Sequence, residues 1–141
     1  MDILEQAMNS IKYPSLRANI DAAIEALADP ELQRRAWIGR QAAPVGECPS
    51  FDDAVHWLFD DSGINNGAKS SVGELFYDDR EAQSVDSVMF QIDRLLDKYG
   101  GELADEQYIN TSEWPEIVAT AAQCLRLLRE NDRKHQGTLS S

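Results

Sequence analysis

The chain is poor in nearly every residue that announces a chemistry. Of 141 residues only two are cysteine, Cys48 and Cys124, and they stand far apart with no CxxC spacing, which excludes the usual zinc and dithiol frameworks. Only two are histidine. His135 falls near the C-terminus and His56 is the histidine within a structured segment, so a nucleophile–histidine arrangement has little to draw on. No apolar run is long enough to span a bilayer, and Met1-Asp2-Ile3-Leu4-Glu5-Gln6 lacks the basic start and apolar stretch of a secretory signal, which makes the cytoplasm the expected compartment. Positive charge is scarce as well. Thirteen Lys and Arg against 25 Asp and Glu give a formal net charge of -12. Nucleic acid and anionic lipid both require Lys/Arg to neutralise phosphate, so neither is an expected partner. A basic protein is, because long-range attraction to an acidic surface raises its rate of encounter.

What the sequence does have is helical periodicity. Ile3, Leu4, Ala7, Met8 and Ile11 form one apolar stripe, ended by Pro14, and Leu16, Ile20, Ala23, Ile24 and Leu27 form a second with Ser15 as its expected N-cap. Asp29-Pro30 restarts the chain as a short helix carrying Leu32, Ala36, Trp37 and Ile38, with Asp29 as N-cap and Pro30 at the first helical position. Residues 41–50 hold two prolines and a glycine and read as a loop; whether Cys48 is exposed there, or joined to Cys124, stays open. Ser50 caps a helix lined by Phe51, Ala54, Val55, Leu58 and Phe59. After the break at Gly63 to Gly67 a shorter helix is expected around Val72, Leu75 and Phe76. Asp78 with Glu81 three residues on starts a long helix striped by Val85, Val88, Met89, Ile92, Leu95, Leu96 and Tyr99, which Gly100-Gly101 stops. A short piece around Ala104 to Ile109 leads to Ser112, the expected cap of a last helix lined by Trp114, Ile117, Val118, Ala121, Cys124, Leu125 and Leu128. No strand pattern or repeat appears. The fold class is therefore all-α, an irregular bundle of about six helices, two of them long and amphipathic. One domain spans residues 1–132 and a flexible polar tail 133–141.

The motifs are weak. Gly63-Ile64-Asn65-Asn66-Gly67-Ala68-Lys69-Ser70 matches a phosphate-binding loop except that Ala68 replaces the second glycine, and a helix precedes it where such a loop needs a buried strand. Asp52, His56 and Asp60 are spaced to share a helix face. One helix supplies few ligands, and no second His or Cys cluster completes a site, so neither a metal nor another cofactor is expected. No catalytic residue stands out, and the chain reads as a non-enzyme.

Acid clusters carry the most functional weight. Asp52, Asp53, Asp60 and Asp61 bracket one helix, and Glu74, Asp78, Asp79 and Glu81, with Tyr77 beside them, bracket the next junction. Capping explains some of them; the excess, next to aromatics, is the expected binding surface for a basic partner.

In its order of features the chain resembles a group of small acidic proteins of uncharacterised function from actinobacteria and proteobacteria. The likeness rests on Asp29-Pro30 with Trp37, on Asp53, Val55, Leu58, Asp60 and Asp61, on Phe76, Asp79, Glu81, Ala82, Val85 and Asp86, and on Trp114-Pro115, Val118 and Asn131-Asp132. In size and charge it is also similar to immunity-type proteins that neutralise a toxin. That likeness implies a protein that masks a basic domain, a nuclease-type toxin being the best match. The alternative is a small regulatory or scaffold protein that binds its partner through an apolar helix groove.

Overall fold

The computed structural model describes residues 11–39, 41, 46–60 and 71–140, with side chains to His135 at the C-terminal end. The first apolar stripe up to residue 10, the loop positions 42–45, and the segment 61–70 with Asp61 and the Gly63–Ser70 motif lie outside the described residues. Six α-helices and no strand, apart from an isolated bridge between Val72 and Phe76, make up the described chain. The all-α reading is correct.

Helix α1 is Pro14–Ala28. Its N-cap is Tyr13 and Pro14 takes the first turn, so Ser15 lies inside the helix and is not the cap. Proline's fixed φ and missing N–H suit that first position, which the sequence reading had treated as a terminator. Ile20, Ala23, Ile24 and Leu27 are buried as their spacing requires. Asp29 caps α2 (Pro30–Leu32), its carboxylate accepting from the N–H groups of Glu31 (3.0 Å) and Leu32 (3.2 Å). The chain continues as a π-helical stretch, Gln33–Ile38, closed by the Gly39 N–H on the Arg34 carbonyl at 2.9 Å. Helix α3 (Phe51–Val55) is capped by Ser50 and also runs on as a π-helical stretch, His56–Asp60.

Residues 71–76 form a turn rather than the expected short helix. Gly73 sits at φ +90°, which ends any right-handed helix. The carbonyls a helix would use internally are taken elsewhere: that of Glu74 accepts from the Tyr13 N–H (3.0 Å) and that of Leu75 from Arg17 (2.9 Å). Helix α4 (Asp79–Tyr99) is capped by Asp78 and stopped by Gly100 at φ +80°, ψ 170°, a conformation essentially reserved for glycine. Helix α5 is Asp105–Ile109 and α6 is Trp114–Ser140. The residue before α6 is Glu113; Ser112 stands one position further out and hydrogen-bonds Glu113 instead of capping the helix. Past Asp132, α6 continues as helix into the stretch that composition marks as a polar tail.

Helix α6 packs along both α1 and α4, and α3 packs against α1. At one end of the core Trp37, Phe51, Tyr108 and Trp114 make tilted and edge-to-face contacts with ring centroids 4.8 to 6.2 Å apart. Gln33 is buried there and fully used. It donates to the carbonyls of Ala26 and Leu27 and accepts from the Trp114 indole. Both cysteines are free and buried, so Cys48 is neither exposed nor bridged to Cys124. Burial pushes their thiols up to about 12 and about 11, which keeps them protonated and unreactive.

Candidate functional site

The acids expected to form one binding surface divide into two kinds. On α3 and the π-helical stretch that continues it, Asp52 and Asp60 face solvent, with side chains 80% and 62% exposed, and bracket His56: Asp60 Oδ2 lies 2.6 Å from Nδ1 and Asp52 Oδ2 3.5 Å from Nε2. The spacing that put the three on one face is correct. Asp53 is half-buried and belongs to the cap, with Ser50 Oγ accepting from its N–H and donating to its carboxylate, both at 3.0 Å. Among the described residues no group of three His, Cys, Asp or Glu is placed to hold a metal ion.

At the second junction Glu81 is drawn into the fold and Asp78 is engaged as a cap, while Asp79 stays exposed. Asp78 accepts from the Glu81 N–H at 2.9 Å as the cap of α4 and from the Asn131 amide at 3.3 Å. Glu81 is fully buried and forms a two-pronged ion pair with Arg17, at 2.8 and 2.9 Å; it also accepts from the Tyr77 N–H and the Asn131 amide. Arg17 completes its donors on Asp132 (3.1 Å) and on the carbonyls of Leu75 and Leu128. One guanidinium thus ties α1, the 71–77 turn, α4 and α6 together. Burial works against the Arg17 charge, but the hydrogen bond and charge of Glu81, with Asp132, outweigh it and raise its pKa. For Asp132 burial wins over Arg17 and the pKa rises.

Tyr77 is half-buried, its ring stacked on the His135 imidazole (3.8 Å, 6°) with the Arg17 guanidinium 4.5 Å from the ring centre. His135 is therefore part of this cluster. Of the other expected contacts, Glu74 is half-buried beside Arg17's turn and Asp79 is exposed at the first position of α4. The sequence reading missed Arg17, Asn131, Asp132 and His135. A signal was present for the first two: Arg17 is in register with Ile20 and Ile24, and Asn131 with Cys124 and Leu128, so each puts a polar group on an apolar stripe.

Along the outer side of α4 and the start of α6 runs a groove of about 390 Å³, walled by Phe90, Gln91, Arg94, Lys98, Glu113 and Glu116 over a floor of Leu95 and Ile117. Phe90 is 61% exposed, more than any other large hydrophobic among the described residues. Gln91 donates to Thr120 Oγ1 at 3.0 Å, while its buried carbonyl oxygen has no donor among the described residues. At one end Lys98 meets Glu113 at 2.6 Å, and that bond, with the Tyr99 hydroxyl, holds the Glu113 carboxyl down at about 2.

Residues 11–136 match a domain of unknown function, DUF7945. The chain belongs to the DUF7945 family. No curated protein and no solved structure matches it. Within this family member, Glu81 and Asp132, two residues of the resemblance read from sequence, converge on Arg17, and a third, Asn131, donates to Glu81.

Proposed function

We propose that this DUF7945 protein is a non-enzymatic protein-binding module that receives a basic partner on the exposed carboxylates of α3, in the manner of an immunity-type inhibitor masking a toxin's active site. The observation that carries the reading is the contrast between Asp52 and Asp60, which stand in solvent around His56, and the acids that capping or burial already employs. In a chain of net charge -12 such carboxylates add short-range pairing to long-range attraction. A nuclease-type domain suits them best, because an active site built to hold phosphate presents Lys and Arg. No helix among the described residues is long and apolar enough to cross a membrane, which fits a partner met in the cytoplasm.

The test is affinity capture from the native cell with the wild-type protein and with an Asp52→Lys/Asp60→Lys variant as baits. A discrete basic protein held at low salt, released at high salt and lost by the variant supports the reading. Equal capture by both baits refutes it.

A second reading, a regulatory or scaffold protein that docks through an apolar helix groove, is favoured by the α4–α6 groove and the exposed Phe90. Its partner would resist salt and respond to changes at Phe90 more than to changes at Asp52 and Asp60.

A further inference from the structure

We propose that the α4–α6 groove is a self-association surface, in which Phe90 from each of two copies of this chain enters the groove of the other across a two-fold axis. The inference rests on the second reading above, that the groove is a docking face, and names its occupant. A two-fold contact must be self-complementary, and this face has the paired features such a contact requires. Phe90 is an exposed aromatic knob beside a cavity of about 390 Å³, ample for an aromatic ring, with Leu95 and Ile117 as its apolar floor. The α4 lip carries Arg94 and the α6 lip carries Glu116; both are exposed, and neither forms an ion pair among the described residues. A two-fold axis running along the groove sets the α4 lip of one copy against the α6 lip of the other, so that Arg94 meets Glu116 twice.

Charge selects a second copy over other occupants. Arg94 and Lys98 balance Glu113 and Glu116, making a locally neutral face on a molecule of net charge -12. Lys98 and Glu113 are already paired with each other, so a basic helix would meet the unpaired Arg94 and an acidic one the unpaired Glu116. A copy of the same face offers each lip its opposite.

Two copies of net charge -12 also repel at long range, and salt screens that repulsion over a Debye length that shrinks from about 30 Å to about 8 Å between 0.01 M and 0.15 M. The self-contact therefore tightens as salt is added, whereas a complex with a basic partner loosens.

Sedimentation equilibrium of the full chain, from micromolar to millimolar concentration at low and physiological salt, tests this. A monomer–dimer equilibrium that tightens with salt is expected, and Phe90→Glu should weaken it at least about tenfold, the loss of one central anchor. Arg94→Glu and Glu116→Arg should each weaken it alone, yet their equimolar mixture should recover a heterodimer, because both inter-copy pairs are then opposite in sign. All three positions are exposed, and circular dichroism checks that the variants fold. A chain that stays monomeric throughout, a dimer indifferent to Phe90→Glu, or a mixture no tighter than its components overturns the proposal. Phe90→Glu leaves Asp52 and Asp60 in place, so capture of a basic partner by that variant separates this outcome from failure of the α3 reading.

Discussion

The acids around α3 and the acids at the start of α4 look alike in sequence and end in opposite situations. Both groups follow a break, both place carboxylates in the first turn of a helix, and both have an aromatic neighbour. At α4 a single cation decides the outcome: Arg17 reaches from α1, takes Glu81 into a fully satisfied buried pair, and brings Asn131 and Asp132 of α6 with it. At α3 no buried cation is offered among the described residues. Asp53 serves the cap, while Asp52 and Asp60 stay in water with His56 between them. An acidic residue thus becomes architecture where the fold supplies a desolvated counter-charge, and surface where it does not.

The largest effect that could break this comparison is removal of the cation. Arg17→Met should destabilise the fold by about 3–5 kcal/mol, because it leaves Glu81 buried and unpaired. Adding Glu81→Leu should restore much of that loss, since an apolar pair avoids the desolvation penalty; urea unfolding of the two single variants and the double variant reads the coupling. If Arg17→Met unfolds at the wild-type midpoint, the pair is not what joins α1, α4 and α6. Next in size is the cap: Asp78→Ala should cost about 1 kcal/mol by the same assay, against little change for its exposed neighbour Asp79→Ala. Asp52→Asn and Asp60→Asn should leave the unfolding midpoint in place, as exposed ion pairs contribute little. A clear destabilisation by either would make α3 as structural as α4.

The smallest effect concerns the groove. The Glu113 carboxyl, followed by NMR, should titrate with a midpoint of about 2, and Lys98→Met should move it up toward the ordinary range near 4.3. Its pKa is depressed in the folded state, so its contribution to stability is present above the ordinary carboxylate range. That contribution is lost as pH falls through about 4 to about 2, and its exposed position keeps it slight. An unshifted midpoint would show that Lys98 and Tyr99 do not hold that end of the groove.

Much of the fold was legible because helix periodicity and capping are local. The Asp29-Pro30 start, the Ser50 and Asp78 caps and the Gly100 stop all occur as read, and the apolar stripes of α1, α4 and α6 supply the core. The failures are places where a distant partner outbid a local preference. Residues 71–76 carry helical spacing, but Tyr13 and Arg17 capture their carbonyls and Gly73 turns the chain. Cys48, set between prolines, is buried, its carbonyl accepting from the Trp37 indole.

The candidate site was half legible for the same reason. Asp52, His56 and Asp60 share one helix face and could be paired from spacing alone. The fate of Glu81 depends on Arg17, 64 residues away. Arg17 did leave a trace, a cation on an apolar stripe, which in a buried helix calls for an acid on some other stripe. The groove left none, since it exists only where two helices meet.

The measurement that bears most directly on the division of acids is a salt titration of the captured basic partner against wild type, Asp52→Lys/Asp60→Lys and Asp79→Lys. The account predicts at least about a tenfold loss of affinity and a shallower salt dependence for the α3 variant, with its unfolding midpoint unchanged, and a lesser change for Asp79→Lys. Affinity and salt slope unaltered in the α3 variant would contradict it, and would leave the carboxylates of α3 with no role beyond keeping the protein in solution.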